Sequence, residues 1–568
     1  MLTLTANPGF ALILAAVAVF ASPRISRVPI MVTAAALSLW LILSPPFGDY
    51  ARTAQIGLQV TLLRLDAMSQ MFGMAFAAGA VMMALASGAR GHRLEDAAIM
   101  LMGGAGMTAV FAGDLISFVA AIELATIAGA WIIFSARAGA AYDAGVRFFI
   151  WQGLGGLLLL AGVAFHLADG FGSEFTRLPA DSVGGAFFLA GLAIKVAAPI
   201  AHVWLKDALA NASSIGAAAL AVFAAKAGLY GLARGFSGEA LLVPAGAAMA
   251  VIGALMALAD DDIRRAVGYS LIAQMGLIVA AIGVGAPLSL AGAAAHVFTT
   301  TLAYGALTLA AGFIAERTGE TSASALGGLA RAMPLTALFA TIAGLSAAAA
   351  PGFAGYVSTT LSLEAIESAG QREAWFVLLG ASAACAAFAA VRLPVALFFG
   401  RMRTAPREER AHSYASLQAM ALAAFLCITV GLAPGWLLDL LPPAPVAYSA
   451  YAVDRLAPRI EFFAAALFAA GLMHMIGFGV TQRKRALLDV DAFLRGPAAA
   501  IARWCGIVTL RVYGGVRAAG DAAASGAARA LAAFARATDR PYADGPAGAL
   551  AALAGALGLV VLVYVFAM

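Results

Sequence analysis

Along most of this chain apolar residues follow one another with neither the alternation of a half-buried strand nor the one-sided period of a surface helix. They form runs of roughly 20 residues, the length that crosses a hydrocarbon core of about 30 Å when a helix rises about 1.5 Å per residue. About sixteen runs can be counted, near 8–23, 27–45, 66–87, 94–113, 114–134, 144–168, 184–205, 212–236, 239–259, 266–285, 287–315, 334–369, 374–400, 415–441, 460–481 and 545–567. The pattern predicts an all-α integral membrane protein in which the 334–369 run is a broken helix. The first run is not expected to be a cleavable signal, because its flank MLTLTANPGF carries no positive charge. Residues 482–544 depart from the pattern: Leu494, Ile501, Trp504, Leu510 and Val516 recur among Arg495, Arg503, Arg511 and Arg517. That spacing predicts an amphipathic helix on the cytoplasmic membrane surface, serving either as a lipid anchor or as a brace against this or a neighbouring subunit.

Composition sharpens the class: 63% of residues are hydrophobic and only 11% charged, a balance no soluble fold sustains. Cys385, Cys427 and Cys505 lie too far apart for a zinc or iron–sulfur site. No Gly-rich phosphate loop follows a strand, and no His/Cys/carboxylate group has metal spacing. The chain alone is therefore expected to bind no cofactor, metal or nucleic acid. Placing the amino terminus outside gathers most arginines in the cytoplasmic connections, as the positive-inside rule requires, with both termini then periplasmic in a bacterial inner membrane.

A charge in mid-span costs several kcal/mol unless paired or hydrated, so each one is a functional candidate. Glu123 lies in GDLISFVAAIELATIAGAWIIF, Lys195 in FFLAGLAIKVAAPIAHVW and Lys226 in ALAVFAAKAGLYGLA. The chain has 31 arginines and only four lysines, Lys195, Lys206, Lys226 and Lys484. Two of the four stand in mid-membrane, where a guanidinium holds its proton permanently while a buried amine can release it. That choice fits a proton relay, with Glu123 as the carboxylate whose approach or withdrawal switches a lysine; a static ion pair is the alternative. His296 in AAAHVFTTTLAYG is a further relay candidate, and His202 and His166 share its apolar context. Asp207, beside Lys206, is expected to form an interfacial pair with it, and Arg392 to face a polar cavity.

Pro199, four residues past Lys195, removes a helical hydrogen bond and opens the helix at that depth; Pro351 marks a second break in AAAAPGFAGYVSTT. Transporters place ions at broken helices, and the interval between the breaks suggests two five-helix units in an inverted repeat.

These residues resemble a known family. IKVAAPIAHVWLKDALANASSIGAAALAVFAAKAGLYGL is similar to its Lys, Pro and His before Trp-Leu-Pro-Asp-Ala and to its second lysine; DDDIRRAVGYSLIAQMG and GGLARAMPLTALFATIAGLSAAAAPGFAGYVS resemble its next signatures. The family is that of the proton-conducting, antiporter-like membrane subunits, found as the D component of Mrp cation/proton antiporters and in respiratory complex I. The resemblance covers about residues 60–440. It implies a core of about fourteen helices in two inverted five-helix repeats with broken helices, and a hydrated axis to which Glu123, Lys195, Lys226 and His296 correspond. It also implies other membrane subunits as partners, with protons and sodium ions as cargo, and no redox centre in this chain.

The resemblance partitions the chain into amino-terminal helices (1–93), a first repeat (94–236), a second repeat (237–400), carboxy-terminal core helices (401–481), the surface helix (482–544) and a last span (545–568). The chain also departs from the family. Thr300 and Tyr304 stand where a second histidine and a lysine are usual, Thr359 where Lys or Glu is usual, Lys206 replaces a proline, and Ser213 and Ile215 replace two more. The distal half is therefore expected to lack a charged relay. Two functions remain open: a proton-translocating component, Mrp-like, or a scaffold of a complex I-related or carbon-uptake assembly.

Overall fold

The computed structural model describes residues 6–55, 58–87, 92–406, 414–442 and 448–475, with positions 514, 517, 525, 526 and 529. Two compact units divide the chain, Met1–Leu487 and Leu488–Met568, and every element named below belongs to the first. The expected surface helix (482–544) and last span (545–568) fall almost wholly outside the described residues.

The chain opens with helices α1 (Gly9–Ala21) and α2 (Arg24–Leu43), a hairpin of strands β1 (Gly48–Gln55) and β2 (Leu58–Leu65), and helix α3 (Ala67–Ser87). Then come α4 (Arg93–Val110), α5 (Leu115–Phe134), α6 (Gly139–Ala168), α7 (Val183–Lys195), α8 (Val203–Asn211), α9 (Ser214–Phe223) and α10 (Lys226–Gly235). A second series follows: α11 (Leu242–Ala259), α12 (Ile263–Val284), α13 (Pro287–Thr318), α14 (Pro334–Ala347), α15 (Ala354–Ser368), α16 (Arg372–Ala386) and α17 (Leu393–Phe398), the last two joined by a π-helical turn. Helices α18 (Tyr414–Leu432), α19 (Gly435–Leu438) and α20 (Val453–Met475) complete the described part.

Among the described residues ten helices are long and apolar enough to cross a membrane. The apolar runs outnumber them for physical reasons. The 184–205 run is split into α7 and α8, the 334–369 run into α14 and α15, and the first run holds a helix of 13 residues. The core centres on α13, which is buried along its length and packs against α9, α12 and α15.

The two series share several local features. Asp114 caps α5 by accepting the Ser117 N–H at 2.8 Å, and Asp262 caps α12 by accepting the Arg264 and Arg265 N–H at 3.0 Å, each cap being worth about 1 kcal/mol. Past each cap the Leu115 N–H donates to Ser173 O and the Ile263 N–H to Thr321 O, both at 2.9 Å. The interval from Asp114 to Asp262 equals that from Ser173 to Thr321.

Both broken helices end alike. The Ala198 N–H reaches back to Ala193 O at 2.9 Å and the Ala350 N–H to Leu345 O at 3.0 Å, closures that satisfy carbonyls at a helix end. Ala197 and Ala349 are left-handed, with φ of 59° and 54°, and three residues on Ile200 and Gly352 are again left-handed, at 76° and 88°. Pro199 and Pro351 occupy the same place in the two unwound segments.

The hairpin interrupts an otherwise helical chain, and its β2 sequence LQVTLLRL alternates so that Thr61, Leu63 and Leu65 point inward. It is tied to α4 and α5: the Arg64 N–H donates to Phe111 O at 2.7 Å, the Gly113 N–H to Thr61 O at 2.8 Å, and the Thr61 N–H to the Asp114 carboxylate at 2.9 Å. Arg64 grips Asp49 at 2.9 Å and Phe175 O at 2.9 Å. Burial works against charge on Asp49, but hydrogen bonds from Arg64 and Arg52 outweigh it and hold its carboxyl below the usual carboxylate value.

Candidate functional site

Lys195, the last residue of α7, is 1% exposed, and three groups converge on its amine. Its Nζ lies 2.6 Å from Glu123 Oε1 of α5 and donates to Thr126 Oγ1 at 2.8 Å and to Gln152 O of α6 at 2.9 Å. Glu123 and Thr126 are three residues apart on α5, hence on one face. Placing Lys195 where its helix unwinds frees the chain beyond it from helical geometry.

Lys226 opens α10 and is 1% exposed; its Nζ donates to Thr300 Oγ1 of α13 at 2.9 Å. Among the described residues no carboxylate pairs with Lys226. The two lysines belong to adjoining surfaces, since Gly228 of α10 packs so closely on Lys195 that a Cβ there would come to 3.0 Å of the lysine Cβ. Thr300 in turn donates to His296 O at 2.6 Å. The buried His296 ring is held at both nitrogens, Nε2 by Gln274 Oε1 at 2.8 Å and Nδ1 by Ser358 Oγ at 2.9 Å. The Thr299 hydroxyl lies 2.7 Å from that of Ser358. The amide oxygen of Gln274 can only accept, so Nε2 carries the proton and Nδ1 faces the hydroxyl pair.

The remaining expected residues are distributed unevenly. Tyr304 lies on the His296 side of α13, one turn beyond Thr300, and its hydroxyl meets Ser270 Oγ at 2.6 Å. Thr359 faces elsewhere, beside a small cavity that Arg459 of α20 also lines. His202 is buried at the start of α8, its ring centroid 6.2 Å from that of Tyr269. His166 stacks on Phe171 at 4.7 Å, away from the lysines. Asp207 is buried and bridged to Arg147 of α6 at 3.1 Å, and the buried Lys206 amine sits 5.5 Å from the Tyr269 ring centre. Arg392 holds the end of α11, donating to Ala257 O and Asp260 O at 2.8 Å each. Sequence reasoning missed Thr126, Gln152, Gln274 and Ser358. Among the described residues no group of three His, Cys, Asp or Glu could hold a metal.

The distal series differs at the corresponding positions. Counted from the aspartate caps, Leu271 holds the place of Glu123, and Gln274 that of Thr126; counted from the unwound segments, Ala347 holds the place of Lys195. The same helices still touch there, for Gln274 Nε2 donates to Ala347 O at 3.1 Å where Thr126 meets the Lys195 amine. An ion pair in the first series is an amide–carbonyl hydrogen bond in the second.

A lysine–carboxylate pair, a second buried lysine and two unwound helices in a many-helix fold define the class of antiporter-like membrane subunits. Likeness to known proteins makes the class specific. Residues 112–385 match the family model described as NADH:quinone oxidoreductase/Mrp antiporter, TM. NADH-quinone oxidoreductase subunit N of Rhodopseudomonas palustris is 30% identical over 333 residues, covering 55% of this chain and 70% of that protein. An uncharacterised protein of Mycobacterium tuberculosis is 29% identical over 411 residues, 65% of this chain and 62% of its own length. The chain thus spans less than two thirds of that relative. In fold it is similar to a chain of the Mrp complex from Dietzia sp. DQ12-45-1b, with a TM-score of 0.74 and 22% identity over 99% of this chain and 63% of that one. The protein belongs to the NADH:quinone oxidoreductase/Mrp antiporter membrane family.

Proposed function

We propose that this chain is a proton-translocating member of a multisubunit inner-membrane complex, of the Mrp type that exchanges monovalent cations for protons, in the position of the Mrp D component. The observation that carries the reading is the Glu123–Lys195 pair, with its buried cation at the end of an unwound helix. In this mechanism the Glu123 carboxylate, Thr126 and Gln152 O hold the proton on Lys195. Withdrawing the carboxylate removes the counter-charge, and the proton passes towards Lys226 and on through Thr300, His296 and hydroxyl-bound water. His202 serves as a further relay group, and the breaks at Pro199 and Pro351 supply the exposed backbone. Residues 94–236 and 237–400 are taken as inverted repeats, with both chain termini on the periplasmic side.

A second reading, a half-active or non-conducting scaffold of a complex I-related or carbon-uptake assembly, draws support from the neutral Leu271, Gln274 and Ala347. Purifying the complex identifies the partners. Vesicles carrying it, loaded with a pH dye and given a sodium gradient, then decide between the two. Sodium-driven proton movement that Lys226→Arg abolishes supports translocation; no proton movement from an intact complex supports the scaffold.

A further inference from the structure

Helix α6 carries several glycines near the lysine site, and a methyl group on each would meet something different. At Gly153 nothing lies within 4 Å; at Gly155 the nearest atoms are Gly191 O of α7 and Ile194 Cγ2, both at 3.3 Å; at Gly162 they include backbone atoms of α7. Gly156 is unlike these. All three atoms nearest to its absent Cβ belong to the Glu123 carboxyl group, the carbon and both oxygens, at overlapping distance.

We propose that Gly156 is the positioning residue of the Glu123–Lys195 pair: its missing side chain opens the slot on α6 in which the carboxylate lies against the lysine amine. The stripe that forms the slot is one helical turn long. Gln152, four residues earlier, presents its carbonyl to Lys195 Nζ at 2.9 Å, and Gly156 leaves room for the carboxylate beside it. A methyl group there displaces the end of a flexible side chain and leaves the backbone in place. Glu123 has somewhere to go, since its side chain is 27% exposed, whereas the amine is tied to Thr126 Oγ1 and Gln152 O and does not follow. Gly156→Ala therefore parts the pair without changing either of its members.

The inference rests on the reading that the pair titrates during transport, and the experiment separates the two. Proton flux and assembly are measured on the whole complex in vesicles for Gly153→Ala, Gly156→Ala, Glu123→Gln, Glu123→Asp and the two double variants joining Gly156→Ala to each Glu123 change. Gly153→Ala is expected to leave flux unchanged, and Gly156→Ala to lower it about tenfold or more with assembly intact. Gly156→Ala should add nothing in the Glu123→Gln background. It should cost less in the Glu123→Asp background, whose shorter side chain clears the methyl group. Normal flux in Glu123→Gln would overturn the translocation reading itself. Loss of flux in Glu123→Gln with normal flux in Gly156→Ala overturns only the positioning role. An assembly defect in Gly156→Ala that Glu123→Asp does not repair assigns the glycine to helix packing and likewise overturns it.

Discussion

Lys195→Met and Lys226→Met should both stop proton transfer, yet move stability in opposite directions. Lys226 is fully buried with a hydroxyl as its partner. Methionine fills nearly the same volume, and the Thr300 hydroxyl keeps its hydrogen bond to His296 O at 2.6 Å, so no donor is orphaned. Replacing a desolvated amine with a packed apolar group is then worth about 1–4 kcal/mol in favour of the variant. Lys195 differs because its removal strands a carboxylate that stood 2.6 Å away. Removing one partner of a fully buried pair costs about 3–5 kcal/mol, and the 27% exposure of Glu123 reduces this to roughly 1–3 kcal/mol. The assay is the thermal unfolding midpoint of the purified complex, read beside dye-reported flux in vesicles. A Lys226→Met complex that unfolds as early as Lys195→Met would refute the claim that Lys226 stands without a counter-ion; wild-type flux in either would remove that lysine from the relay.

His296→Ala should abolish flux in vesicles while Tyr304→Phe changes it little, because only the histidine ring bridges Gln274 and the Ser358 hydroxyl; equal flux in both would redirect the path to a neighbouring subunit. Asp49→Asn should destabilise the hairpin by about 1 kcal/mol, read by hydrogen exchange in β1 and β2. Because the folded carboxyl lies below its unfolded value, that contribution is complete above the unfolded pKa of about 4 and fades as pH falls through the folded one, so the variant and wild type should converge in acid. Arg392→Ala should loosen the α11 end and lower the unfolding midpoint, having removed two charge-assisted hydrogen bonds of about 1.5–3 kcal/mol each.

The charged half of the site was legible in the sequence because an ionisable residue inside an apolar run has few bland explanations. Glu123, Lys195 and Lys226 stand out for that reason, and Pro199 and Pro351 marked both unwound segments. The neutral partners were not legible. Thr126 and Ser358 look like the many hydroxyls that back-bond within a membrane helix, and Gln152 contributes a backbone carbonyl, which any residue could supply. Gly156 is one of 61 glycines, so its position alone carries no signal. The hairpin was not foreseen by the all-α reading, because residues 48–65 lie between two long apolar runs and their alternation is short beside them.

The left-handed residues in the unwound segments bear on which sequences the fold accepts. A residue with a Cβ in that conformation stores roughly 1–2 kcal/mol, and a β-branched one more. Glycine would release that strain but restores about 0.4–1 kcal/mol of freedom to the unfolded chain. The balance is nearly even at Ala197 and Ala349, where a methyl group is the whole side chain, and favours glycine at Ile200, whose counterpart in the second segment is already Gly352. The segment that follows Lys195 is thus the more tightly wound spring of the two, and Ile200→Gly is a route to a more thermostable protein that leaves every charge in place.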